Sequence, residues 1–174
     1  MDLFTAIEKR HSYRGEFKKT KVPGEHLQRI IHAGIAAPSG CNAQTTFFII
    51  VDDDSLMVSL RKILANNAIK TAPNAIVVFS EDQVVYEGMS FEKEDYSAAV
   101  ENMLLAITAL GYASVWLDGV LRRENKAERI ADLLSIPRKY TVDVVLPLGI
   151  PVETRQQKEK KRFEERAWLN RYEK

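Results

Sequence analysis

The stretch Asp95-Tyr96-Ser97-Ala98-Ala99-Val100-Glu101-Asn102-Met103-Leu104-Leu105-Ala106-Ile107-Thr108-Ala109-Leu110-Gly111 decides the reading of this chain. From Asp95 to Leu110 apolar side chains surround the helix instead of forming one stripe, and Gly111 stands where a helix takes its C-terminal cap. A helix of this kind needs burial on nearly all sides, so the rest of the chain, a second copy of it, or both must cover it.

Outward from that helix, short apolar runs alternate with amphipathic segments. Phe47 to Val51, Ala75 to Phe79, Ala113 to Leu117 and Thr141 to Leu146 read as buried strands. Helical periodicity runs over residues 2–9, over 23–36 with Pro23 in the first turn and Pro38 beyond the end, from Asp52–Asp54 to about Asn67, and over 124–134 before Pro137. Ala37 to Thr45 is a loop of Pro, Ser, Gly and Asn, and the polar residues 81–94 read as a lid. The order mixes helices and strands without strict βα alternation, and no internal repeat occurs, so an α+β fold in one domain is expected over 1–174.

Composition narrows the function. Apolar residues make up 45% and charged residues 28%, as in ordinary globular chains, and 25 Lys plus Arg against 24 Asp plus Glu leave no global field for nucleic acid or an anionic membrane. Cys41 is the single cysteine, which excludes an intramolecular disulfide and fits a reducing compartment. It serves either as a small apolar filler or as a thiol beside a ligand. With no leader-like start and no apolar run near the ~20 residues of a membrane helix, a cytoplasmic location is expected. His11, His26 and His32 lack metal-ligand spacing, so no metal is expected. No nucleophile-elbow, Walker or dinucleotide signature is present, which assigns the hard chemistry to a cofactor.

Four segments can serve one. Arg10-His11-Ser12-Tyr13-Arg14 offers two guanidiniums and a hydroxyl to a phosphate, or is a solvated helix end. Pro38-Ser39-Gly40-Cys41-Asn42-Ala43-Gln44 allows close backbone approach and amide contacts to a flat ring, or is a turn satisfying itself. Trp116-Leu117-Asp118-Gly119 ends a strand where ligands often meet backbone, or is a plain Asp-Gly turn. After Gly149 the chain becomes charged, with eight basic and five acidic side chains between Glu153 and Lys174 interrupted by Phe163, Trp168, Leu169 and Tyr172. Lys158, Lys160, Lys161 and Arg162 either close on a phosphate or form a wet surface.

Taken in order, these segments resemble the FMN-dependent nitroreductase family over nearly the whole chain. The first is similar to its R-x-S-x-R element, the second to its P-S-x-x-N-x-Q loop, and residues 95–112 to its central helix. Leu117-Asp118-Gly119 looks like the strand end beside flavin N5, and Leu148-Gly149-Ile150-Pro151 with Lys160 and Arg162 like its C-terminal element. The resemblance implies a three-layer fold with a central mixed, mainly antiparallel sheet, and a homodimer whose tail, 152–174, packs on the partner in a domain-swapped manner. It implies FMN at the interface, held by Arg10, His11, Ser12, Arg14, Pro38, Ser39, Gly40, Asn42, Gln44, Leu117, Asp118, Gly119, Lys160 and Arg162. The Pro38–Gln44 loop would come from the other subunit, and the Gly119 N–H would approach N5.

It further implies NADH or NADPH as donor and ping-pong reduction of a small nitroaromatic, quinone or related acceptor, with the chemistry carried by the flavin and no assigned acid or base. Two departures bear on the acceptor: Gln44 is followed by Thr45-Thr46 where the family commonly has Pro-Trp, and the segment from Ser80 to Asp95 is short. They keep dehalogenation, ene reduction, flavin breakdown and a non-catalytic flavin-binding role open.

Overall fold

The computed structural model describes residues 1–172; Glu173 and Lys174, the end of the expected domain and tail, lie outside the described residues. Among the described residues five α-helices occur, α1 (Leu3–Lys9), α2 (Gly24–Ile35), α3 (Asp54–Leu64), α4 (Glu92–Ala109) and α5 (Lys126–Leu133). Six strands accompany them: β1 (Thr46–Val51), β2 (Asn74–Glu81), β3 (Val84–Tyr86), β4 (Met89–Ser90), β5 (Ala113–Ser114) and β6 (Tyr140–Gly149).

The main sheet has the order β1-β2-β6-β5 with every ladder antiparallel, and a parallel bridge between Ser12 and Ser114 makes its β5 margin mixed. Both faces are covered, which is why the strands read as continuous apolar runs. Along β2, Ile76 and Val78 face α2 and α4, meeting Leu27, Ile30, Met103, Leu104 and Ile107, while Ala75 and Val77 face α3 and α5, meeting Met57, Leu60, Leu64 and Ile130. The α+β, three-layer architecture is therefore as expected.

The ends of α4 follow from local chemistry. Gly111 adopts φ +84°, and the Gly111 and Tyr112 amides donate to the carbonyls of Thr108 and Ile107, each at 3.0 Å, closing the last turn as a Schellman cap. At the other end the structure departs from expectation. The helix begins at Glu92, three residues ahead of the expected Asp95, and Asp95 is a buried residue of its first turn.

Three further differences have identifiable causes. The expected lid, 81–94, contains the β3–β4 hairpin, because Glu87 and Gly88 both take positive φ and turn the chain back on itself. The expected strand Ala113–Leu117 pairs in a ladder only at Ala113–Ser114, and Leu117 rejoins β6 through an isolated exchange of hydrogen bonds with Val145 at 3.1 and 2.9 Å. In β6, Val78 of β2 opposes Val144 and Phe79 opposes Val142, so Asp143 is an inserted bulge residue without a partner. The bulge puts Val142 and Val145 in the same core, which strict alternation forbids.

Candidate functional site

Residues 10–14 leave α1 in an extended conformation. The Tyr13 N–H donates to the Ser114 carbonyl at 2.8 Å, and its fully buried ring packs edge-on to Phe17 with its hydroxyl donating to the Glu16 carbonyl at 2.7 Å. Extended backbone alternates its side chains, so anchoring Tyr13 inward turns Ser12 and Arg14 outward together. With Arg10 and His11 they line a cleft of about 370 Å³ whose other wall is the tail, supplied by Arg155, Gln157, Lys158 and Lys160.

The tail is tied there by Gln157 Nε2, which donates to the Arg10 carbonyl at 2.5 Å, and by Arg155, whose guanidinium lies 5.9 Å from the Tyr13 ring centre. Arg10 Nε stands 3.4 Å from Glu101 of α4. His11 Nδ1 donates to the Lys9 carbonyl at 2.9 Å, leaving Nε2 buried and without a protein partner among the described residues. Arg162, read from sequence as a phosphate contact, does not line the cleft. It caps the 3-10 turn Phe163–Glu165, with its N–H donating to Glu165 Oε2 at 2.9 Å.

The Pro38–Gln44 loop lies elsewhere. Cys41, Asn42 and Gln44 are all left-handed, and the loop holds this shape because the Asp95 carboxylate accepts from the Gly40 N–H at 2.8 Å and from Thr45 Oγ1 at 2.9 Å. Gly40 is required sterically, since a Cβ there would sit 2.5 Å from the Phe91 ring. Pro38, Ser39 and Gln44 border a groove of about 480 Å³ between α2 and β1, floored by Ile31, Phe48 and Phe79. Asn42 is exposed at the loop's tip and does not line the groove.

The third predicted element is different again. Leu117 is buried against β6, and the exposed Gly119 donates its N–H to Asp118 Oδ1 at 2.6 Å, while Asp118 Oδ2 accepts from Arg122 at 2.9 Å. Asp118 opens onto a third cleft, about 450 Å³, shared with Tyr96, Glu128 and Asp143. Burial pushes the Asp143 carboxyl up to about 6 against hydrogen bonds from Ser80, and burial likewise raises the Tyr96 phenol.

No residue lines more than one of these three clefts. Helix α4 separates the first two: Asp95 holds the loop and Glu101 meets Arg10, six residues and about 9 Å further along the axis. The predicted residues thus assemble into separate groups within one protomer. Reading the sequence missed Asp95, Glu101, Arg155 and Gln157. Only Arg155 carried a signal, as a cation just ahead of the basic run, since the other three act through residues distant in the chain.

Among the described residues no helix is long and apolar enough to cross a membrane. The family model described as Nitroreductase family matches residues 7–87 and 64–150. A protein of Methanothermobacter thermautotrophicus, provisionally named NADH dehydrogenase/NAD(P)H nitroreductase, is 34% identical over 88% of this chain and 79% of its own length. An iodotyrosine deiodinase of Thermotoga neapolitana is 29% identical, covering 86% of this chain and 88% of the relative. A solved structure from Clostridium difficile, described as an FMN-dependent nitroreductase, superposes with a TM-score of 0.80 at 26% identity, over 97% of this chain and 99% of the other. The family match spans most of the chain and the structural likeness nearly all of it, and this chain belongs to the nitroreductase family of oxidoreductases.

Proposed function

We propose that this protein holds FMN at the interface of a homodimer and carries electrons from NADH or NADPH to a small organic acceptor such as a nitroaromatic or quinone. The observation that carries the reading is the cleft at residues 10–14, where Arg10, Arg14, Arg155, Lys158 and Lys160 converge with the Ser12 hydroxyl. Such a donor set suits a phosphate in charge and in donor chemistry, with the guanidiniums able to offer paired hydrogen bonds and the lysines acting as point charges. The buried, unpartnered His11 Nε2 beside it is a further polar atom that a ligand would satisfy. Lys160 takes the role suggested for the tail, and Arg155 replaces Arg162 in it.

FMN would supply the hydride chemistry, taking electrons from the nicotinamide and giving them to the acceptor in alternate turns of one site. The chain's own contribution is to anchor the phosphate, to present the Pro38–Gln44 loop to the ring, and to exclude water. The Gly119 N–H, now bonded to Asp118, would have to exchange that partner to reach the ring.

Dimerisation brings the separated halves together, with the loop of one subunit facing the phosphate cleft of the other. In support, α1 exposes Leu3, Phe4 and Ile7, and the tail exposes Phe163 and Leu169 at 75% and 86%. β1 is also an unpaired sheet edge that the partner's tail, from residue 152 onward, would cover.

The visible absorption spectrum of the purified protein, followed by anaerobic addition of NADH and then NADPH, tests the reading. Flavin bands that bleach with the nicotinamide and return with a quinone or nitroaromatic support it. A colourless protein that FMN cannot reconstitute removes it, and flavin bands that neither nicotinamide bleaches leave a binding role.

A further inference from the structure

We propose that Asp118 and Arg122 form a positioning pair for the flavin edge: Asp118 covers the Gly119 N–H, and Arg122 draws that carboxylate aside to free it. The inference rests on the FMN reading above and gives Arg122 a part in it.

The backbone around the pair is fixed from both sides. Leu117 is buried and exchanges hydrogen bonds with Val145 at 3.1 and 2.9 Å, and the Asp118 carbonyl accepts from the Leu121 N–H at 2.9 Å. That turn brings Arg122 back to Asp118, four residues along. The two carboxylate oxygens then divide: Oδ1 accepts from the Gly119 N–H at 2.6 Å and Oδ2 from the Arg122 guanidinium at 2.9 Å. Gly119 itself is exposed, and nothing stands within 4 Å of the position a Cβ would take. The backbone here is open to a flat ring, but the amide has one hydrogen and Asp118 holds it.

An ionised carboxylate is the stronger acceptor, since charge-assisted hydrogen bonds are about twice as strong as neutral ones. The neutral N5 of an oxidised flavin does not displace it unaided. Arg122 changes that balance. A guanidinium can offer two parallel N–H groups to a carboxylate, and one such bond forms here. The Arg122 side chain is 73% exposed and pairs with no other carboxylate among the described residues, so it can follow Asp118 as that side chain turns. Turning Oδ1 from Gly119 to Arg122 exchanges one charge-assisted hydrogen bond for another. With Arg122 the amide is released at little cost; without it, release loses the whole bond.

Fluorescence titration of flavin-free protein with oxidised FMN and with 5-deaza-FMN, which carries C–H in place of N5, tests the inference. The ratio of the deaza-FMN to the FMN dissociation constant reads the hydrogen bond to N5, because phosphate, charge and stacking contributions are common to both ligands. Asp118→Ala should raise this ratio about three- to tenfold, the worth of one hydrogen bond made without competition. Asp118→Asn, which keeps the side chain's shape without its charge, should raise it as well. Arg122→Gln should lower the ratio towards unity, because Asp118 then keeps the amide. The double variant Asp118→Ala/Arg122→Gln should match Asp118→Ala, since Arg122 acts through Asp118 alone. Far-ultraviolet circular dichroism should be the same in all of them.

A ratio that falls in both folded Asp118 variants, one that Arg122→Gln leaves unmoved, or losses that add in the double variant would overturn the proposal. A parent that binds FMN while its variants show no such opposite changes loses this inference and keeps the function proposed above. A parent that takes up neither flavin removes that function, and this inference with it.

Discussion

The Gly40 N–H is held by the buried Asp95 carboxylate at 2.8 Å, across 55 residues of chain, and the second oxygen of the same carboxylate takes the Thr45 hydroxyl at 2.9 Å. One side chain of the central helix therefore clamps both ends of the loop whose Cys41, Asn42 and Gln44 are in left-handed conformations. Asp95→Ala would leave a buried amide and hydroxyl unpaired and release that loop. The expected cost is about 2 to 4 kcal/mol in urea unfolding, together with faster hydrogen exchange of residues 38–45. A stability within about 0.5 kcal/mol of the parent would show that the clamp is not needed.

Arg10 and Glu101 compete with any anion for each other. Arg10→Ala should weaken FMN binding about ten- to a hundredfold, as loss of a charge-assisted contact. Glu101→Gln should act in the opposite direction, tightening FMN a few-fold because Arg10 is freed. Fluorescence titration of apoprotein reads both, and a loss of affinity in Glu101→Gln would contradict the phosphate assignment of Arg10.

Asp143 carries a stability cost that depends on pH. Its folded carboxyl is raised to about 6 from the ordinary 3.8, so between those values the folded chain binds more protons than the unfolded one. The protein is then most favoured by this group below about pH 4 and loses that contribution as pH rises through 6. Asp143→Asn should remove the dependence and stabilise the protein at pH 7.5 by about 1 to 2 kcal/mol, discounted for partial solvent access. Urea midpoints measured from pH 4 to pH 8 for both proteins check the sign.

Gly34 lies in a close packing of α2 on α4 and β1, where a Cβ would lie 3.0 Å from Met103 Cγ and 3.1 Å from Phe48 Cζ. Alanine requires that the Met103 and Phe48 side chains give by a few tenths of an ångström, whereas Gly34→Leu overpacks the contact. A loss of about 1 to 3 kcal/mol is expected for leucine, read as a lowered thermal midpoint. No change would mean that the two helices separate easily.

The tail is expected to decide assembly. Removing residues 153–174 takes away Arg155, Lys158 and Lys160 from the cleft and the exposed Phe163, Trp168 and Leu169. Light scattering should report a shift toward monomer accompanied by loss of flavin. A truncated dimer that retains FMN would place both functions in the rest of the chain.

What the sequence by itself determined is local and periodic. The four sheet strands, five helices and Gly111 cap follow from continuous apolar runs, helical spacing and the positive φ that glycine accepts, all set by neighbours within a few residues. The basic element at residues 10–14 was legible for the same reason, because its chemistry lies in adjacent side chains. Tertiary structure alone decided that Asp95 turns inward to Gly40, that Glu101 meets Arg10, and that Arg155, not Arg162, reaches the cleft. It also decided that a bulge points Asp143 out of its ladder, since register is a property of two strands together and no single run of residues contains it.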